Sequence, residues 1–135
     1  MYVSKRDGRR EAVKFDKITA RIKKLCYGLS PLVSAEQVAM KVIEGLFDGV
    51  TTTELDNLAS EVAATMTVQH PDFALLASRI SVSNLHKSTE KSFSTTMQKL
   101  FEYIDPKTKE DAPLISEEIH QIIQNNAEKL DSAII

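Results

Sequence analysis

Seven side chains in this sequence could hold a charged ligand: Lys5, Arg6, Glu11, Lys17, Thr52, Asp56 and Lys87. The four cations suit phosphate oxygens, to which ammonium and guanidinium groups donate charge-assisted hydrogen bonds. The two carboxylates and the hydroxyl suit a sugar, whose own hydroxyls need acceptors. Lys5, Arg6, Glu11 and Lys17 gather around the pair Asp7-Gly8. Thr52 and Asp56 are four apart and project from one side of a helix. Lys87 stands far away in sequence. A lysine in a last helical turn either complements the helix dipole or reaches a ligand, and spacing does not decide between the two. On charge alone, a solvated basic hairpin accounts for the first stretch more simply than a ligand seat does.

Several elements must position these residues. Two alternating runs, Tyr2–Lys5 and Glu11–Phe15, flank Asp7-Gly8 and predict a hairpin. The intervening loop exceeds two residues, so its turn type is open. Asp16 is placed to cap a first helix, along which Phe15, Ile18, Ile22, Leu25 and Cys26 recur at helical spacing until Gly28 ends it. The helix start beneath a cationic hairpin would offer free N–H groups to an anion. Ser34 with Gln37 predicts a capped second helix burying Ala39, Val42, Ile43 and Leu46. Asp48-Gly49 marks a turn, and the β-branched Val50–Thr52 predicts a third strand. Thr51 with Glu54 then opens a third helix with the stripe Leu55, Leu58, Ala59, Val62, Ala63 and Met66. Pro71-Asp72 opens a fourth. Its apolar residues Phe73, Leu75, Leu76, Ile80, Val82 and Leu85 lie on more than one face, which predicts the most buried helix.

From Ser88 the character changes, with Ser and Thr dense through Thr96. Phe93, Met97, Leu100 and Ile104 predict a fifth helix. A polar loop, Asp105 to Pro113, separates it from a sixth capped by Ser116 and carrying Ile119, Ile122, Ile123 and Leu130. The apolar end Ala133-Ile134-Ile135 has no terminator and is expected of a chain cut from a longer one.

The net charge of −2 does not imply a strong overall attraction to nucleic acid or acidic membrane. The charge is unevenly spread: nine Lys or Arg against three acids through Lys24, then eight against sixteen. A basic front on an acidic body favours a small polyanion, or an acidic protein surface, over a nucleic-acid track. One cysteine, Cys26, excludes an internal disulfide and a multi-cysteine zinc site. No run is apolar enough to span a bilayer and no secretion signal is evident, so a reducing, cytoplasmic setting is expected. Neither standard phosphate-binding loop occurs. His70, His86 and His120 lack metal-ligand spacing, and Cys26 has no evident base. No catalytic constellation is present.

Longer runs carry a resemblance. Tyr2-Val3-Ser4-Lys5-Arg6-Asp7-Gly8-Arg9 and Glu11-Ala12-Val13-Lys14-Phe15-Asp16-Lys17-Ile18 resemble the opening of the ATP-cone domain. Leu25-Cys26-Tyr27-Gly28-Leu29, Gly49-Val50-Thr51-Thr52, Glu54-Leu55-Asp56, His70-Pro71-Asp72-Phe73 and Ser83-Asn84-Leu85-His86-Lys87 continue the likeness in order. Together they resemble the amino-terminal part of the eukaryotic-type large subunit of aerobic ribonucleotide reductases. The resemblance implies a mainly α fold: a four-helix bundle under a small β cap over residues 1–90, then a helical lead-in to a catalytic barrel over 91–135. It implies ATP as activator and dATP as inhibitor, with Mg2+. Lys5, Arg6, Lys17 and Lys87 would surround the phosphates. Glu11, Ala12, Val13, Lys14, Phe15, Asp16 and Lys17 would hold base and sugar. Thr52 and Asp56 would lie near the ribose or phosphates, Asp56 bearing on discrimination of dATP from ATP. The family's catalytic cysteines and barrel are missing, so this stretch is expected to regulate rather than catalyse. The implied partners are the remainder of the large subunit, other cones in oligomers and, indirectly, the small radical-generating subunit. Two other readings compete. A nucleotide-sensing repressor would need the four cysteines of a zinc ribbon. A helical interaction module would bind no nucleotide.

Overall fold

The computed structural model describes residues 1–134. Ile135, part of the apolar end noted above, lies outside the described residues. The chain forms two compact units, Met1–Lys87 and the stretch from Ser88 onward.

The first unit begins with β1 (Tyr2–Ser4), β2 (Arg10–Ala12) and α1 (Phe15–Lys23). Then follow α2 (Ala35–Glu44), β3 (Val50–Thr51), α3 (Thr52–Thr65), a 3-10 turn at Met66–Val68, and α4 (Asp72–Ser88). The sheet order is β2-β1-β3. β1 pairs antiparallel with β2, Val3 opposite Glu11, and parallel with β3, Val3 opposite Val50. Val3 and Val50 are the buried residues of this small sheet. Gly49, at φ +85°, takes the left-handed conformation that a residue with a Cβ resists, and its N–H donates to Tyr2 O at 2.9 Å. Asp48 Oδ1 accepts from the Tyr2 N–H at 2.6 Å. The first strand is thus fastened from both sides.

Beneath the sheet, α1 to α4 share one core. Ile18 and Ile22 meet Val38, Ala39 and Val42, then Leu55, Ala59, Ala63 and Met66, then Phe73, Leu76, Ala77 and Ile80. Phe73, Leu76, Val38 and Val42 are fully buried, each worth about 1.5–3 kcal/mol of apolar transfer. Two of the predicted caps form here: Ser34 Oγ accepts from Gln37 N–H at 3.3 Å, and Thr51 with Glu54 makes a reciprocal capping box.

Several expectations change. The strands are shorter than predicted, because Lys5 already enters the turn and accepts from Gly8 N–H at 3.0 Å. Asp16 does not cap α1. Lys14 is the flanking residue, its carbonyl accepts from Lys17 and Ile18 N–H, and Asp16 sits in the first turn, where a carboxylate favours the dipole. α1 stops at Lys23, and Leu25 and Cys26 follow in tight turns before Gly28 at φ +69°. α4 is buried on one face only. Leu75, Val82 and Leu85 are exposed, so its second apolar face does not enter this core.

The second unit contains α5 (Phe93–Phe101), α6 (Glu117–Asn125) and α7 (Ala127–Ala133). The predicted sixth helix is broken at Asn126, whose amide N–H and side-chain Nδ2 both donate to Ile122 O. Ile104 lies outside α5 and pairs with Asp111 in an isolated bridge. Asp131 binds the start of α5 through Ser92 Oγ, Ser94 N–H and Ser94 Oγ. Phe101 stacks on His120 with ring centroids 4.0 Å apart. Among the described residues, no helix is long and apolar enough to cross a membrane.

Candidate functional site

The hairpin places Lys5 and Arg6 just past β1 and Glu11 on β2, while the start of α1 supplies Lys17. Lys5 Nζ lies 3.1 Å from Glu11 Oε2, and Lys17 Nζ pairs with Glu11 Oε1. These two partners hold the Glu11 carboxyl down at about 2, Lys17 contributing more than Lys5. Glu11 therefore stays ionised and spaces two ammonium groups across the mouth of the hairpin.

Behind that pair lies a cavity of about 60 Å³, lined by Val3, Ala12, Val13, Ile18 and Leu55, with Lys5, Glu11, Lys14, Lys17, Arg21 and Thr52 at its edge. Beside it runs an open groove of about 270 Å³ lined by Lys5, Arg6, Asp7, Arg9, Arg21 and Thr52. The two share Lys5, Arg21 and Thr52. An apolar slot next to a cationic groove has the character of a small-molecule site: apolar walls with a few placed polar groups. Arg9 is paired with Asp7 at 2.6 Å inside the groove, and the groove's other cations, Lys5, Arg6 and Arg21, face Glu11 or Asp56.

The floor is Asp56. It springs from the first turns of α3, is 5% exposed, and gathers three cations on one oxygen. Arg21 approaches Oδ2 at 2.6 Å, Lys87 at 3.7 Å and Arg6 at 3.8 Å. Burial pushes the Asp56 carboxyl up, and Arg21 and then Arg6 pull against that rise. Arg6 also donates to Asn84 Oδ1, and Asn84 Nδ2 donates to Asn57 Oδ1 at 2.9 Å, joining the hairpin to α3 and α4. Across the site five cations face two carboxylates, an excess of positive charge that suits a polyphosphate.

The fold thus brings together Lys5, Arg6, Glu11, Lys17, Thr52, Asp56 and Lys87, and Ala12, Val13 and Lys14 line the apolar slot. Phe15 and Asp16 line neither compartment. Asp56 lies behind the groove rather than in its wall. Sequence reasoning passed over Arg21, Asn57 and Asn84. Arg21 stands four residues after Lys17, which puts both on one face of α1, but between Ile18 and Ile22 it reads as the flank of an apolar stripe. Among the described residues no group of three or more His, Cys, Asp or Glu is placed to hold a metal.

A three-stranded cap with cationic side chains lies over a four-helix core, with an apolar slot beside an open basic groove, an arrangement suited to a small ligand with an apolar and an anionic part. The chain belongs to the ATP-cone family, whose "ATP cone domain" pattern matches residues 1–88. Over its whole length it is 60% identical to the ribonucleoside-diphosphate reductase large chain of Schizosaccharomyces pombe and covers 17% of that relative. The large subunit of Caenorhabditis elegans is 61% identical over 99% of this chain, again 17% of the relative. That of Vaccinia virus is 54% identical over the full chain and 18% of the relative. The chain therefore spans less than a fifth of the length of these relatives.

Proposed function

We propose that residues 1–90 are the allosteric activity site of a ribonucleotide reductase large subunit, taking ATP as activator and dATP as inhibitor, and that residues 91–135 lead into the catalytic barrel. The observation that carries this reading is the convergence of Arg6, Arg21 and Lys87 on buried Asp56. Lys5 and Lys17 flank Glu11 at the neighbouring apolar slot. Adenine would enter the slot, and the triphosphate would lie along the groove and exchange its oxygens for carboxylate partners of the cations. Mg2+ would travel with the phosphates.

The two effectors differ by one ribose hydroxyl, and a site can switch state only through contacts that differ between its ligands. The ribose would lie where slot and groove meet, beside Thr52, which lines both. The output would be a change in self-association of large subunits, which alters access of the small radical-generating subunit. The cytoplasm is the setting this reading requires. Calorimetric titration of the chain with ATP and with dATP tests it. Saturable binding of both is expected, with marked weakening in Lys5→Ala and Asp56→Ala variants that keep their fold. No saturable heat with either nucleotide would leave the helical interaction module as the better reading. Size-exclusion chromatography with each nucleotide tests the association step.

A further inference from the structure

We propose that the open side of α6, carrying Ile119 and Ile122, is the seat of an apolar element of the parent large subunit outside this chain. The inference rests on the reading of residues 91–135 as the lead-in to a larger catalytic body, and it names the surface and the kind of partner.

α6 turns about 100° per residue, so Ile122, Ile119, Ile123 and His120 follow one another round it as a single apolar arc. The second unit covers half of that arc. Ile123 is buried, and His120 stacks on Phe101. The other half is open, with Ile119 48% and Ile122 51% exposed. Glu117, Glu118, Gln121 and Gln124 fall outside the arc, so the open half carries no charge. Ile104 and Leu114 of the same unit are exposed as well. Apolar surface rimmed by polar residues marks an interaction site.

The unit's own composition says that its partner is permanent. It runs from Ser88 to the end of a 135-residue chain. Below about 70–80 residues an apolar core rarely holds a domain without a disulfide, a metal or an added partner. Among the described residues this unit buries one apolar side chain, Ile123. The chain's one cysteine, Cys26, lies in the first unit, and no described group of three or more His, Cys, Asp or Glu could hold a metal. A partner that comes and goes would leave the unit without a core between encounters. An element of the same polypeptide is always present, and permanent interfaces are the more apolar kind. The relatives have room for it, since the chain spans 17% of the Schizosaccharomyces pombe and Caenorhabditis elegans large subunits.

Hydrogen exchange followed by mass spectrometry tests this, comparing the chain with the full-length large subunit that carries it. The segment 114–125 is expected to exchange at least about tenfold more slowly in the full-length protein. Ile119→Gln with Ile122→Gln should remove that protection there and lower the thermal midpoint of the full-length protein. In the chain itself the same pair should leave ATP affinity unchanged, because the nucleotide site belongs to Met1–Lys87. The parent comparison needs no variant, so it decides the matter even for a substituted subunit that does not fold. Equal exchange of 114–125 in the two parent proteins would overturn the proposal, as would parent-like protection in the full-length double variant. Protection in the chain that rises with its concentration would overturn it in favour of a second copy. Failure of the chain to bind ATP, with 114–125 protected in the full-length protein, would overturn the nucleotide reading alone.

Discussion

Replacing Thr51 by alanine should both loosen the fold and weaken the site. Thr51 closes β3 and caps α3. Its Oγ1 accepts from Glu54 N–H at 3.1 Å, and the Glu54 carboxylate accepts from Thr51 N–H at 2.8 Å. Removing a threonine N-cap costs about 1 kcal/mol, within a range of about 0.5–2. The Thr51 side chain is exposed, so no cavity term is added, and the loss should stay near the middle of that range. For a unit of this size, about 1 kcal/mol moves the thermal midpoint by roughly 4–8 °C. Melting followed by circular dichroism, on the parent, Thr51→Ala and Thr51→Ser, measures the shift. Serine keeps the oxygen and should melt near the parent. The first turn of α3 carries Thr52 and leads to Asp56, so nucleotide affinity should fall in Thr51→Ala and recover in Thr51→Ser. Glu54 is held below its ordinary value, chiefly by the Thr51 N–H. The capping contribution is therefore complete above the ordinary glutamate range and fades as pH falls below it. The gap between parent and Thr51→Ala should accordingly narrow in acid. If Thr51→Ala melts with the parent, or Thr51→Ser falls as far as alanine, the cap is not what anchors this strand to its helix.

Other outcomes can be checked directly. A carbon-detected pH titration should place the Glu11 carboxyl near 2, against 4.5 for a free glutamate. Its ion pairs then contribute fully above 4.5 and are lost as pH falls through 2. In Lys17→Met the midpoint should climb back toward the ordinary value. Gly49→Ala should destabilise by about 1–2 kcal/mol in denaturant melts, although a Cβ there meets open space. The cost is its φ of +85°, so Gly49→Asn should lose less. Arg79 donates to Leu25 O at 2.8 Å and Tyr27 O at 2.7 Å, and lies 3.9 Å from the Tyr27 ring centre. Arg79→Met should cost about 1–3 kcal/mol in the same melts while leaving nucleotide affinity unchanged.

What the sequence announced was local. Asp7-Gly8 announced the hairpin and Thr51 with Glu54 the reciprocal cap, because each needs only neighbouring residues to form, whereas Val50-Thr51 showed strand character without its distant partner β1. The stripe on α3 was legible for the same reason: its period is a property of the helix itself. The site was partly legible, since Thr52 and Asp56 share a turn and Lys5, Arg6 and Glu11 share a hairpin. What stayed hidden depends on packing between distant segments. Lys87 reaches Asp56 only because α4 returns alongside α3, and no spacing encodes that return. Arg21 was masked by its apolar neighbours. Leu75, Val82 and Leu85 gave α4 a hydrophobicity that its packing in this core does not use, because apolar content does not state which face is covered. The break at Asn126 escaped notice because Ile119, Ile122, Ile123 and Leu130 keep a helical spacing across it.

The parallel pairing of β1 with β3 bears on how the lid is assembled. β1 and β2 can meet as soon as the hairpin exists, on the microsecond scale of such turns. β3 joins β1 across the whole stretch of chain that holds α1 and α2, at a register of Val3 with Val50, so that edge must close a much longer loop than the hairpin does and is expected to form more slowly. The earliest residues of the chain become the middle of the sheet, and their second neighbour arrives late. Transplanting the hairpin into another scaffold would therefore carry over the cations without β3 and without the Asp56 and Asn84 partners of Arg6. A working graft must extend through Asp56 at the least.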